Sequence, residues 1–160
     1  MKLVVQRSKN SKVSVGKKVV GKIDFGLVVL VGFTHKDTIE DIKYLVKKLV
    51  NLRIFDDDNN VMNKSILDVK GSILSISQFT LYADTKKGNR PSYIGSMKAI
   101  EANHMYDLFN EEIKKYNIPV ETGIFQTEMV VDITNDGPVT IILERWFIMI
   151  KNKIDFKLIN

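Results

Sequence analysis

Cysteine is absent from all 160 residues, which excludes a disulfide framework, zinc ribbons and thiol catalysis. Histidine is almost absent: only His35 and His104 occur, far apart and in no ligand-spaced pair, so a metal centre is not expected. Two solvated surface histidines are the default, and neither has a Ser-His-Asp partner set legible nearby. No apolar run approaches the length of a membrane span, and the opening Met1-Lys2-Leu3-Val4-Val5-Gln6-Arg7 breaks up too soon for a signal peptide. Together these absences describe a cytoplasmic protein without metal, cofactor or membrane contact. Proline is scarce as well, at three residues, so the place of each one carries information.

What is present fits one domain, long enough to bury a core without staples. Hydrophobic residues at 44% and charged residues at 27% set the chain apart from disordered and membrane proteins. Twenty-four basic against nineteen acidic side chains leave a net charge of +5, which points toward an anionic partner such as nucleic acid. Lysine supplies nearly all of that charge, and lysine, asparagine and isoleucine are all abundant. A genome-wide bias produces the same figure, so charge alone decides nothing.

Hydrophobic periodicity organises the chain. Residues 3–6 read as a strand, and residues 12–15 and 19–23 flank Gly16-Lys17-Lys18 as a hairpin. Residues 27–33 are nearly all aliphatic, the mark of a strand buried on both faces. A helix follows, with Asp37 and Glu40 at capping-box spacing and Ile39, Ile42, Leu45, Val46 and Leu49 forming one apolar stripe. Residues 72–81 are predicted as another buried strand. A second helix begins at Ser96, carries Met105, Leu108, Phe109 and Ile113 at helical spacing, and ends at Asn117 and Pro119. Residues 119–123, 129–134 and 139–146 complete the strands. The expected fold is a single α/β domain with a mixed, largely antiparallel sheet and two main helices. Its order is two strands, two strand-helix units and three strands. The domain covers residues 1–146, and residues 147–160 form an apolar and basic extension of unknown role.

Two segments break the pattern. Asn135-Asp136-Gly137-Pro138-Val139-Thr140 puts a proline inside a strand-forming run. Proline cannot donate to a ladder, so it marks an edge, a bulge or a turn. Gly137 permits a backbone conformation closed to other residues, and X–Pro is the bond for which cis is cheap. The second segment, Ser77-Gln78-Phe79-Thr80-Leu81, gives an apolar strand a polar, hydroxyl-bearing end. Ser77 and Thr80 are candidate nucleophiles, but an unactivated hydroxyl is a weak one and no base is identifiable. Hydroxyls at a strand end also simply satisfy local backbone groups. Gln78 and the main-chain N–H groups suit an oxyanion hole better, since that needs only positioned donors. Just beyond, Lys86, Lys87 and Arg90 lie in a loop bearing Gly88 and Pro91, which suits phosphate contacts or is an ordinary basic turn. Asp56-Asp57-Asp58-Asn59-Asn60 has Val61 and Leu67 where a calcium loop needs glycine and glutamate, so an acidic turn is expected.

The paired SQFTL-type and NxGPxT-type segments resemble those of the D-aminoacyl-tRNA deacylases. The likeness continues in order through Val4-Val5-Gln6-Arg7, Leu30-Val31-Gly32-Phe33-Thr34-His35, Asn51-Leu52-Arg53-Ile54-Phe55, residues 77–84, Arg90-Pro91-Ser92-Tyr93 and Pro119-Val120-Glu121-Thr122-Gly123, across residues 1–144. Each piece alone is weak, and the ordered set is specific. The resemblance implies a homodimer in which Gly137 and Pro138 form a cis peptide reaching into the partner subunit's site. Its carbonyls would grip the substrate α-amino group and crowd out an L side chain, with Arg7 as brace and Met129 in the substrate-binding set.

The implied reaction is hydrolysis of the ester joining a D-amino acid to the terminal adenosine of tRNA, with the RNA 2′-hydroxyl activating water. Ser77, Gln78, Phe79 and Thr80 would be the catalytic segment, positioning adenosine and ester while main-chain N–H groups hold the oxyanion. Lys86, Lys87 and Arg90 would contact the RNA. Glycine has no side chain to exclude, so mischarged glycyl-tRNA is an implied second substrate. Two departures stand out: the chain continues past the GPVT strand, where family members commonly stop, and Tyr93 replaces the usual phenylalanine. Two rival readings remain, a non-enzymatic nucleic-acid-binding module and a hydrolase using Thr80 as nucleophile.

Overall fold

Two long antiparallel strands, β1 (Lys2–Val15) and β2 (Lys18–Gly32), form the spine of the computed structural model, which describes residues 1–145. They join at a tight turn where Gly16 adopts φ +57°. The sequence pattern divides each into two shorter strands, because polar residues interrupt the apolar alternation. In β1 two of those polar residues are buried: Ser8 and Ser11 hydrogen-bond to each other, and Ser11 Oγ accepts the Thr134 N–H at 2.9 Å. With their hydroxyls satisfied internally, the ladder continues through Ser8↔Gly26 and Lys9↔Phe25.

Helix α1 (Ile39–Val50) follows, with the expected apolar stripe buried except for Ile39 at its start. Its capping box lies one residue further along than the spacing predicts. Asp41 Oδ2 accepts from the Thr38 N–H at 2.8 Å and from the Thr38 hydroxyl at 2.7 Å. Asp37 is otherwise engaged, by the Met1 amino group and the Thr34 N–H. Strands β3 (Phe55–Asp56) and β4 (Met62–Lys64) enclose the acidic turn. Asp57 Oδ1 accepts the N–H groups of Asn59 and Val61 there, which holds that carboxyl below its ordinary value. One-turn helix α2 (Ile66–Val69) is capped by Ser65 and Asp68 and is too short for periodicity to reveal. Strand β5 (Ser72–Ser77) ends four residues before the predicted boundary, and the chain enters a 3-10 turn at Phe79–Tyr82. Helix α3 (Ala99–Lys114) then leads to β6 (Val120–Thr122), β7 (Val130–Asp132) and β8 (Asn135–Glu144).

The sheet order is β6-β5-β2-β1-β7, with β8 also paired to β1. The β2–β5 and β5–β6 pairs are parallel, and all three pairs made by β1 are antiparallel, so the sheet is mixed as expected. Leu3, Val5 and Val29 face α1 and α3 in the main core, with Leu45 and Phe109 fully buried against them. Burying such a side chain contributes roughly 1.5–3 kcal/mol. On the opposite face, Val28, Leu74 and Ile76 pack with Met129 and Val131. That face stays partly open where Leu30, Val4 and Ile142 stand in cross-strand register, with Ile142 63% exposed. Among the described residues no helix is long and apolar enough to cross a membrane. The expected extension at 147–160 lies outside them, as does Trp146 at the end of the last predicted strand.

Candidate active site

The parallel strands β2, β5 and β6 run in one direction, and ligands of such sheets gather beyond the carboxyl ends. A cavity of about 530 Å³ opens at that place. This falls within the span of small-ligand sites, roughly 300–1,000 Å³. Ser77, Gln78 and Phe79 form one wall, Ala102 and Tyr106 of α3 another, and Met129 a third. The lining is mostly apolar, with scattered hydroxyls and amides. Among the described residues that line it there is no aspartate, glutamate, histidine, lysine or arginine.

Local packing explains how residues 77–79 reach this position, while Thr80, next in the turn, does not line the cavity. A Cβ on Gly32 would lie 3.1 Å from the Gln78 carbonyl oxygen and 3.1 Å from Leu81 Cβ, so glycine lets the turn lie close over β2. The Gln78 N–H donates to the Val31 carbonyl at 2.7 Å and is thereby committed to the fold. The 3-10 turn starts at the next residue, and a helix start leaves its first amides without an acceptor in the turn; here those belong to Phe79 and Thr80. Ser96 Oγ donates to the Phe79 carbonyl at 3.0 Å and fixes the turn from outside.

The Gln78 side-chain amide donates to Thr80 Oγ1. No carboxylate or imidazole among the described residues reaches that hydroxyl. His35 lies elsewhere, its Nε2 2.6 Å from the Ile94 carbonyl, and His104 is exposed on α3. Tyr106 donates to the Ser75 carbonyl at 2.7 Å, and burial raises its phenol pKa. Sequence reasoning missed Tyr106, Ser96 and the loop at residues 123–127. A signal for Tyr106 exists: it falls at helical spacing between Ala102 and Phe109, a polar-tipped ring within an apolar stripe.

Gly137, Pro138 and Arg7 form a separate cluster that does not line this chain's cavity. The Gly137–Pro138 peptide is cis, and both residues are exposed at the beginning of β8. Asn135 clamps the segment: its Oδ1 accepts the Val139 N–H at 2.8 Å and its Nδ2 donates to Thr140 Oγ1 at 2.9 Å. Arg7, only 8% exposed, donates from Nε to the Asp136 carbonyl at 2.8 Å and from Nη1 to the Ile54 carbonyl at 2.9 Å. Its Nη1 also lies 3.3 Å from Asp56 Oδ2. Gly137 has φ +134°, and a Cβ there would sit 2.8 Å from Val139 Cγ2 and 3.0 Å from Arg7 Nη2. The result is a tightly held element presented to solvent. Lys86, Lys87 and Arg90 occupy a third place, an exposed loop closed by reciprocal backbone hydrogen bonds between Asp84 and Ser92 at 2.8 and 2.9 Å.

The fold recurs in solved structures. One is described as "c-Myc DNA Unwinding Element Binding Protein", with a TM-score of 0.85 and 38% identity over 91% of this chain and 99% of that one. A second, a probable eukaryotic D-amino acid tRNA deacylase, has a TM-score of 0.76 at 17% identity, over 89% and 97% of the two chains. The class is therefore a mixed-sheet α/β domain of the fold these two structures share. The family profile described as D-Tyr-tRNA(Tyr) deacylase matches residues 4–144. The D-aminoacyl-tRNA deacylase of Bacillus cytotoxicus is 55% identical over 144 residues, 90% of this chain and 99% of the relative. That of Bacillus mycoides is 53% identical over the same shares. The chain belongs to the D-Tyr-tRNA(Tyr) deacylase family, enzymes that hydrolyse the ester of aminoacyl-tRNA.

Proposed function

We propose that this protein hydrolyses D-aminoacyl-tRNA at the cavity walled by residues 77–79, as a cytoplasmic homodimer whose Gly137–Pro138 element serves the partner subunit's cavity. The observation that carries the chemistry is the absence of an ionisable acid or base from the described cavity lining, apart from tyrosines. Hydrolysis must then draw on main-chain donors and on the substrate. Water attacks the ester carbonyl carbon, the bond to the 3′-oxygen breaks, and the proton lost by water reaches that oxygen by way of the neighbouring 2′-hydroxyl. The Phe79 and Thr80 N–H groups hold the developing oxyanion, while Ser77 and the Gln78 side chain fix the ester and adenosine. Met129 closes the wall against which the amino acid rests.

Chiral selection is assigned to the Gly137–Pro138 carbonyls, which take the α-amino group and leave no room for an L side chain. Arg7 holds the Asp136 carbonyl next door and so fixes the element's direction. A rigid probe exposed on its own chain has a use only in another chain's cavity. The open row of Leu30, Val4 and Ile142, together with exposed Val130, supplies an apolar surface for that partner. A filter built from backbone cannot exclude glycine, so mischarged glycyl-tRNA is a second substrate.

Thr80 as a nucleophile lacks a base among the described residues: its hydroxyl accepts from the Gln78 amide, and no carboxylate or imidazole there reaches it. A purely nucleic-acid-binding role leaves the cavity without a purpose. The deciding assay offers D-tyrosyl-tRNA, L-tyrosyl-tRNA and a D-tyrosyl-tRNA ending in 2′-deoxyadenosine. The D form is expected to be cleaved, the L form spared and the deoxy form resistant. Cleavage of the deoxy form at the normal rate would refute substrate assistance.

A further inference from the structure

A second cleft, of about 650 Å³, has no part in the chemistry above, and its composition differs from that of the first. Lys2, Lys86, Lys87 and Arg90 border it, against a single carboxylate, Asp84, whose Oδ1 accepts the Lys86 backbone N–H at 2.9 Å. Among the described residues Lys86, Lys87 and Arg90 have no ion-pair partner. Lys2 reaches Glu144 at 3.6 Å and lies 5.2 Å from the centre of the Tyr82 ring. Burial raises the Tyr82 phenol pKa.

The two cavities share a wall. The 3-10 turn places Phe79 on the first, and Leu81 and Tyr82 on the second. The segment opposite does the same: Tyr93 lines the first, Ser92 and Ile94 the second. Phe79 and Tyr93 meet at this seam edge to face, centroids 5.0 Å apart, with Phe79 55% exposed. Exposed aromatic faces beside a basic groove are what an unpaired nucleic-acid strand requires. Bases stack on the rings without regard to sequence, and phosphates follow the cations.

We infer that the second cleft is the phosphate site for the unpaired 3′ end of the RNA. The terminal adenosine occupies the first cavity, the preceding base stacks at the Phe79–Tyr93 seam, and its backbone phosphates lie among Lys2, Lys86, Lys87 and Arg90. The inference rests on the deacylase reading and extends it by adding Lys2 and Tyr93 as substrate contacts.

The test compares D-aminoacyl-tRNA with D-aminoacyl-adenosine, which carries the same ester and nucleoside but no phosphate. For Lys86→Gln/Lys87→Gln/Arg90→Gln, and separately for Lys2→Gln, the ratio of kcat/KM on the two substrates is measured. The triple variant is expected to lower the ratio roughly tenfold, through KM, and to flatten the dependence of log KM on log salt by about 0.7 per cation removed. Tyr93→Leu lowers the ratio and Tyr93→Phe restores it. Lys114→Gln, at the far end of α3 from the cavities, keeps the normal ratio and controls for net charge. Basic-cleft variants with the parent's ratio and salt slope would overturn the inference while the deacylase reading stood. A parent protein that hydrolyses neither ester overturns the deacylase reading itself, a different and recognisable result.

Discussion

Replacing Arg7 by methionine tests the proposed brace most directly, because methionine keeps an apolar stem and removes every donor. In the native protein the guanidinium donates to two carbonyls, Asp136 at 2.8 Å and Ile54 at 2.9 Å, and the side chain is almost entirely enclosed. A hydrogen bond from a charged donor contributes about 1.5–3 kcal/mol, so the two together are worth about 3–6 kcal/mol before the methionine packs in their place. The Asp56 contact adds little, since that carboxylate is nearly half exposed and such pairs are worth about 0–1 kcal/mol. After allowance for the new packing, Arg7→Met is expected to lose about 2–4 kcal/mol. Domains of this kind hold about 5–15 kcal/mol, so the variant remains folded.

Urea unfolding reads that loss as a lowered midpoint with an unchanged slope. Activity should suffer more than stability. The Asp136 carbonyl adjoins Gly137–Pro138, and a displacement near 1 Å there can cost about a hundredfold in rate. Arg7→Lys keeps the charge but cannot span two carbonyls with one planar fork, and should fall between. A folded Arg7→Met protein with normal kcat/KM on D-aminoacyl-tRNA refutes the brace. Lost stability with full activity would make Arg7 purely structural.

Three further outcomes are expected. Thr80→Val removes a hydroxyl whose contact is with Gln78, so kcat should drop by about fivefold, the equivalent of roughly 1 kcal/mol; complete loss in single-turnover assays would show Thr80 to be the nucleophile. Gly137→Ala meets Val139 and Arg7 at φ +134°, so thermal unfolding should show a loss of about 1–3 kcal/mol together with weakened D-selective activity, and an unchanged Tm would contradict the geometry. Ile142→Asp puts a charge on the open sheet face, and light scattering should report a folded, inactive monomer; an intact dimer would place the interface elsewhere.

Helices α1 and α3 were legible because each carries an apolar stripe at helical spacing, beside long aliphatic runs in the core. Strand lengths were not, for reasons that lie outside the local window. Ser8 and Ser11 read as a break until their hydroxyls are seen bonded to each other beneath a continuous ladder. Phe79 and Thr80 favour strand by intrinsic preference and Leu81 continues the apolar run, so the predicted strand ran on to residue 81. Tertiary contacts override that preference: Val31 takes the Gln78 N–H, Ser96 holds the Phe79 carbonyl, and the chain coils into a 3-10 turn. Helix α2 is a single turn with no period to detect.

The site shows the same division. Ser77, Gln78, Phe79 and Met129 were marked in sequence and do line one cavity; Thr80, next in the turn, does not line it, and Gly137, Pro138 and Arg7 gather away from it. Tyr106 and the 123–127 loop arrive from distant elements and carry no motif of their own. The described cavity lining offers no carboxylate or imidazole to tune, so its signature could not be a triad or a ligand set. Its legible residues shape backbone instead: Gly32 lets the turn approach β2, and Gly137 fits a conformation that a Cβ would obstruct. On the proposed mechanism, selection at such a site acts through where carbonyls and amides stand. The scarcity of histidine and the lack of cysteine agree with that mechanism. On the same mechanism, substitutions that move main chain, rather than those that delete a functional group, should be the damaging ones.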